Sequence, residues 1–289
     1  MGRLLGIILL IISINCQGAT WRITYPRPMS DSDMRAKYPV QLLSLALDQT
    51  GVNYTLRPSD LIMLQNKALK RLTDNRDVNV VWSMTDTQRE EQLLPIRIPI
   101  YKGLIGWRLL LIRDDMTERF KYIQQFEHLI KLNPLQGRDW PDTKILQANG
   151  FNVVMDDNYG NLFNLLRKAQ GDFFPRSVVE IWGEVDNTAF NENLMIEQHL
   201  AIKYPAAMYF FVNKKSVPLA NLLQSGLEIA IANGKFDELF LQAHQKNLDR
   251  ANIPNRRVFE LKNSFLPPAT PLDRKELWYQ EPQHPQHLQ

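Results

Sequence analysis

Ser83, Thr85, Asp86 and Arg89 fall close together in the stretch WSMTDTQREEQLLPIRIPI, residues 82–100. The apolar run VNVVW just before it reads as a fully buried strand. Ser83, Met84 and Thr85 therefore sit just past the carboxyl end of a strand, where ligand groups collect in an open parallel sheet. Thr85 and Asp86 can cap a short helix through TQREEQL, because their side-chain oxygens accept its free backbone N–H groups. The start of that helix and Arg89 would then present donors to a cleft. Arginine's rigid, permanently charged fork suits a carboxylate. The competing reading makes Arg89 a solvated side chain paired with Glu90 or Glu91.

Catalytic groups are sparse by comparison. The single cysteine, Cys16, lies in an apolar leader, and no glycine-flanked serine elbow occurs. No histidine falls at an expected cleft position, and His128 belongs to an amphipathic helix. Glu180 and Glu184 are four apart on a segment that reads as helical, so they could share a face as paired carboxylates or as an ordinary wet surface. No glycine-rich phosphate loop, zinc-spaced cysteine set or paired metal-binding histidines appears, so neither a cofactor nor a metal is expected. Other contacts are softer. Tyr25 ends the first strand and could stack over a ligand or pack on Trp82. Asp33 and Arg35 precede the first helix and could cap it or reach the cleft mouth. Trp107 could pack a hinge or line the cleft. Asn158 and Tyr159 open a helix whose N-terminus is a natural anion contact.

These residues need elements to hold them. Arg3, the apolar run Leu4 to Ile12 and the small residues Gly18 and Ala19 have the pattern of a cleaved signal peptide over residues 1–18. Cleavage removes the only cysteine, so the mature chain cannot use disulfides and must rely on its core. The balance of 34 lysines and arginines against 31 acidic residues argues against a nucleic-acid partner. WRITYP, VNYTL and VNVVWSM read as strands separated by helices over YPVQLLSLALDQTG and IMLQNKALKRL, the order of a parallel α/β sheet. IRIPI and IGWRLLLI then carry the chain into a second α/β unit. Helices over FEHLIKLNPL and PDTKILQANG, the strand FNVVMD, the helix YGNLFNLLRKAQG and the segment DFFPRSVVEIW follow, with Pro175 interrupting the last. AAMYFFVNKK returns, two helices break at Gly234, and the tail from Asn252 wraps over a domain before a polar, disordered end. The chain thus divides into lobe 1 (19–112), lobe 2 (113–204) and a return to lobe 1 (205–289). Two crossings permit a hinge with a cleft.

WSMTDTQREEQLLPIRIPI resembles the threonine-x-x-x-arginine stretch of periplasmic solute-binding proteins of the amino-acid type, and the order of elements matches over nearly the whole mature chain. The resemblance implies a two-lobed α/β fold of the type II class with a central cleft and a two-strand hinge. It implies that Arg89 clamps a ligand carboxylate, that Thr85 donates to the same group and that Ser83 sits at the rim. The second-lobe motif of that family is similar to AQGDFFPRSVVE, with Asp172 at the structural acid. The acid that would pair a ligand ammonium falls at Ser177, beside Arg176. A buried ammonium without a carboxylate is costly, so this departure favours a doubly anionic or strongly polar ligand if Arg176 faces the cleft. Ser177 also suits a cap for VVEIW, and Arg176 could point outward. The implied function is periplasmic binding of a small polar solute by a monomer, for a membrane permease or a membrane sensor. A dehydratase-like enzyme and a ligand-free interaction protein are the alternatives.

Overall fold

The computed structural model describes residues 19–29, 34–187 and 192–280. The expected signal peptide, Asp33 and the polar end from residue 281 lie outside the described residues. In chain order the elements are β1 (Trp21–Arg27), α1 (Lys37–Thr50), β2 (Tyr54–Ile62), α2 (Gln65–Thr73), β3 (Val81–Met84), α3 (Thr87–Gln92) and β4 (Leu93–Ile96). Next come β5 (Trp107–Arg113), α4 (Thr117–Lys121), α5 (Phe126–Leu129), β6 (Leu135–Gly137), α6 (Pro141–Ala148), β7 (Val154–Asp156), α7 (Tyr159–Arg167), β8 (Phe173–Ser177) and α8 (Ile181–Val185). The chain ends with β9 (Leu194–Ile196), β10 (Leu200–Lys203), β11 (Met208–Asn213), α9 (Val217–Ala232), α10 (Lys235–Ala251) and β12 (Arg257–Glu260).

The strands form two sets. In the first, β1 and β2 pair in parallel, and β11 runs antiparallel between β3 and β4. Backbone bonds from Asn79 to Thr24 bring β1 beside the entry to β3. α1 buries Leu42, Leu43, Ala46 and Leu47 against α9, whose Leu223 and Leu227 are fully covered. In the second set, β12, β10, β5 and β8 form a ladder with β9 also on β5, and β6 pairs with β7. A bridge between Pro134 and Phe173 ties those last two strands to the ladder. Leu110, Ile112, Phe120, Phe173 and Ile202 make this set's own core.

Several elements differ from the sequence expectation. β4 forms at Leu93–Ile96, starting three residues ahead of IRIPI and sharing only Ile96 with it. β5, expected to belong to the first unit up to residue 112, pairs entirely inside the second set. β8 runs straight through Pro175. Leu110, its partner, turns its carbonyl away to accept from Glu197, so the pair is a non-hydrogen-bonded one and the missing proline N–H costs the ladder nothing. The tail is not all wrapping, because Arg257–Glu260 adds a parallel strand to β10.

The chain passes between the sets at residues 97–106 and 204–207 and again on either side of β12. The first two passages touch at Gly106, whose carbonyl accepts from the Tyr204 N–H at 3.1 Å. A Cβ on Gly106 would lie 2.0 Å from the Tyr204 carbonyl, so only glycine permits this approach. After β12 the chain forms a strap. Asn149 bonds both backbone groups of Lys262, Asn263 donates to the Pro205 carbonyl, and Thr87 N donates to the Phe265 carbonyl at 3.3 Å. Further on, Arg274 makes a two-point ion pair with Glu228, and the Trp278 ring lies over Gly103.

Two packing features yield predictions. Gly226 lowers helix propensity in α9, but a Cβ there would sit 1.9 Å from the Ala46 carbonyl of α1. Gly226→Ala should therefore cost about 3 kcal/mol or more in urea unfolding. Gly183→Ala in α8, where nothing lies within 4 Å, should be neutral or stabilising by about 0.5–1 kcal/mol. His244 is buried among Tyr38, Tyr101 and Phe240, and neither ring nitrogen has a hydrogen-bond partner. Burial pushes its pKa down to about 4. The unfolded chain binds this proton first, so stability is full above the ordinary histidine value of 6.5 and falls as pH drops toward about 4. The loss is on the order of 3 kcal/mol over that window. Unfolding measured from pH 7.5 to 4.5 should show this slope, and His244→Phe should remove it.

Candidate functional site

The opening motif folds as its residues dictate. Asp86 caps α3 by accepting from the Arg89 N–H at 2.7 Å. Thr85, almost wholly buried, donates to Glu90 at 2.8 Å, and its N–H donates to the Ala207 carbonyl. Glu90 in turn holds Arg97. Arg89 therefore does not pair with Glu90 or Glu91. Its Nη1 donates to the Met84 carbonyl at 2.7 Å and lies 3.7 Å from Asp86, with the side chain 12 % exposed. Burial lowers its pKa, opposed by the negative charges of Asp86, Asp142 and Asp139. Asp142 lies in the first turn of α6 and Asp139 just before that helix, both in the second set, so the guanidinium faces across the junction. Its partners within the chain are thus the Met84 carbonyl and Asp86.

The remaining expected residues scatter. Ser83 is fully buried rather than at a rim, and its hydroxyl has no hydrogen-bond partner. Tyr25 packs on Trp82 with ring centroids 6.1 Å apart. Trp107 is buried beneath Lys203, whose Nζ stands 4.3 Å above the ring. Asn158 caps α7 through the Asn161 N–H and is otherwise exposed. Ser177 donates to the Leu104 carbonyl and accepts from Val179 N–H, capping a turn ahead of α8.

Arg176 is where the structure departs most from expectation. It is 2 % exposed and neither points outward nor stands as an unmatched cation. Glu184 accepts from Nε at 2.8 and 3.0 Å and from Nη2 at 2.6 Å, while Glu180 lies 3.3 Å away. Trp140, Phe174 and Tyr159 surround the guanidinium carbon at 4.8, 5.0 and 5.7 Å. The Tyr159 hydroxyl also donates to Glu184 at 2.7 Å. Burial alone would lower the Arg176 pKa, but Glu180 and Glu184 raise it well above the usual value. Burial likewise tends to raise that of Glu180, and Arg176, Arg108 and Arg35 bring it down instead. Both ions thus stay charged, and the second cation expected for a dianionic ligand is already neutralised. Glu180 and Glu184 do converge, but on Arg176.

A linked group escaped the sequence reading. Arg108, also 2 % exposed, pairs with Asp142 and lies 3.7 Å from Glu180, and the Tyr204 hydroxyl donates to Asp142. Asp142 thereby bolts the first turn of α6 to β5 and to the crossing segment at Tyr204. The signal was present: an arginine inside the apolar run GWRLLLI has to find a buried partner. Arg35, beside α1, reaches from the first set and lies 5.0 Å from the Tyr159 ring.

Beside this charged core, a pocket of about 270 Å³ opens where three segments meet. Thr85, Thr87 and Glu91 come from around α3, Lys144 from α6, and Asn263 and Phe265 from the strap. Its walls thus belong to both sets of strands. Of the expected residues it includes Thr85. Among the described residues no cluster of His, Cys, Asp and Glu could hold a metal ion, and no helix is long and apolar enough to cross a membrane.

No family model matches the sequence, and no curated protein matches it. Solved structures do match in shape. The periplasmic VFT2 domain of BvgS from Bordetella pertussis is 15 % identical with a TM-score of 0.60, covering 78 % of this chain and 93 % of that one. A histidine kinase sensor domain with similarity to periplasmic binding proteins is 15 % identical with a TM-score of 0.56, over 78 % and 95 % of the two chains. An ancestral arginine-binding protein bound to arginine is 15 % identical with a TM-score of 0.56, over 78 % and 97 %. Together with the two sets of strands joined at Gly106 and Tyr204, these likenesses identify the architecture: the chain has the two-lobed, type II fold of the periplasmic solute-binding proteins.

Proposed function

We propose that the protein binds a small polar, carboxylate-bearing solute in the periplasm by closing its lobes on it, and presents the closed form to a membrane transporter or sensor. The observation that carries this reading is the pocket walled by α3, α6 and the strap, because its volume depends on how far apart the lobes stand. Lys144 supplies a cation on one wall, Asp86 and Glu91 supply carboxylates on another, and the hydroxyl of Thr87 and the carboxamide of Asn263 supply neutral polar contacts. Arg89, outside the lining but in contact with its Asp86, gives a second positive charge that a solute carboxylate can draw from the Met84 carbonyl. Closure would exclude water and strengthen these contacts. An enzymatic role lacks support of this kind, since the paired carboxylates Glu180 and Glu184 are occupied by Arg176.

A thermal-shift screen of carboxylates, amino acids and short peptides, followed by calorimetric titration of any hit, tests the reading. Lys144→Ala should weaken the hit about tenfold, or about 1.4 kcal/mol, while leaving the unliganded Tm within about 1 °C because this side chain is exposed. Arg89→Ala should weaken it further and lower the Tm, because its bond to Met84 is lost. A panel that produces no shift at all, or a Lys144 variant that binds as tightly as the parent, overturns it.

A further inference from the structure

Arg176 is held as a receptor holds a cationic guest. Trp140, Phe174 and Tyr159 give it three ring faces within 5.7 Å, and two carboxylates meet its nitrogens at 2.6–3.3 Å. Aromatic faces combined with acidic groups are a recognition site for guanidinium and other organic cations. The box also lies at the junction of the lobes, because Arg35 from the first lobe covers the Tyr159 ring at 5.0 Å. Charge is spent inside it. Glu180 and Glu184 face Arg176, Glu180 also faces Arg108, and Asp142 is taken by Arg108 and Tyr204.

We propose that Arg176 is the resident occupant of a cation site between the lobes and sets solute specificity by excluding guests with a guanidinium or ammonium side chain. A guest cation entering there would meet Arg176, Arg108 and Arg35, with Glu180, Glu184 and Asp142 already paired, and like charges at such distances repel strongly when water is excluded. Solutes are thereby confined to the pocket at α3, α6 and the strap, which Lys144, Asp86 and Glu91 line. The exclusion rests on the solute reading. The occupancy does not, and the experiment separates them.

Arg176→Ala vacates the box, and ethylguanidine is the probe that should refill it. The variant should lose about 10 °C in Tm and regain at least half of that with about 10 mM ethylguanidine, beyond an equal concentration of NaCl. Wild type should move by less than about 1 °C with ethylguanidine or arginine. If the variant is recovered unfolded, its refolding yield with and without ethylguanidine gives the same reading. Arg176→Met, which keeps an apolar stem but no charge, should resist rescue because its side chain still fills the box. Absence of rescue by either measurement reduces Arg176 to a structural ion pair and overturns the occupancy. Stabilisation of wild type by arginine to the same degree as the Ala variant overturns the exclusion while leaving solute binding intact.

Discussion

A buried guanidinium must find compensating partners where it stands, and that constraint organises the second lobe. Moving an ion out of water costs several kcal/mol even after relaxation, and only close, multiple contacts recover it. Arg176 recovers it from Glu184, Glu180 and three rings. Arg108 recovers it from Asp142 and the Tyr204 ring. The two groups share Glu180, so they form one network rather than two pairs. Elements that carry these side chains cannot shift independently: β5, β8, α6, the N-terminus of α7 and the turn before α8 are locked in one arrangement.

That network reaches the hinge. Tyr204 lies in one crossing segment, its hydroxyl holds Asp142 at the start of α6, and its backbone meets Gly106 in the other crossing. Any change in lobe separation must therefore pass through a point where two backbones touch without a side chain between them. The strap adds a second tie, bonded to Asn149 after α6 and to Thr87 at the start of α3. The pocket lies between these ties. Under the proposed function, a solute seated there would bear on helices coupled to the hinge on one side and to the strap on the other, a physical route from occupancy to lobe geometry.

Local chemistry was legible wherever partners are close in sequence. The Asp86 cap on α3, the stop of α1 at Gly51 in the left-handed region, Pro141 at the start of α6 and the break at Gly234 all follow from a few neighbouring residues. The alternation of strands and helices sufficed for the fold class. The strand through Pro175 and the added strand β12 were not legible. Whether a proline N–H is missed depends on which side of the strand its partner lies, and whether Arg257–Glu260 is a strand depends on β10, more than fifty residues earlier.

The candidate site divides in the same way. Residue types and spacing alone determined that Arg89 stands past a strand end on a capped helix and that Arg176 and Ser177 end a strand-like segment, while the expectation of an acid at Ser177 came from the family resemblance. Only the tertiary structure decided what those charges meet. Arg176 and Glu184 are one turn and a short helix apart in the chain, and Trp140 and Tyr159 come from other elements altogether. A charged side chain's partner is chosen by distances that packing sets, because Coulomb energy falls with separation and burial raises its cost. A sequence records the charge, and folding determines whether a guest or the chain itself neutralises it.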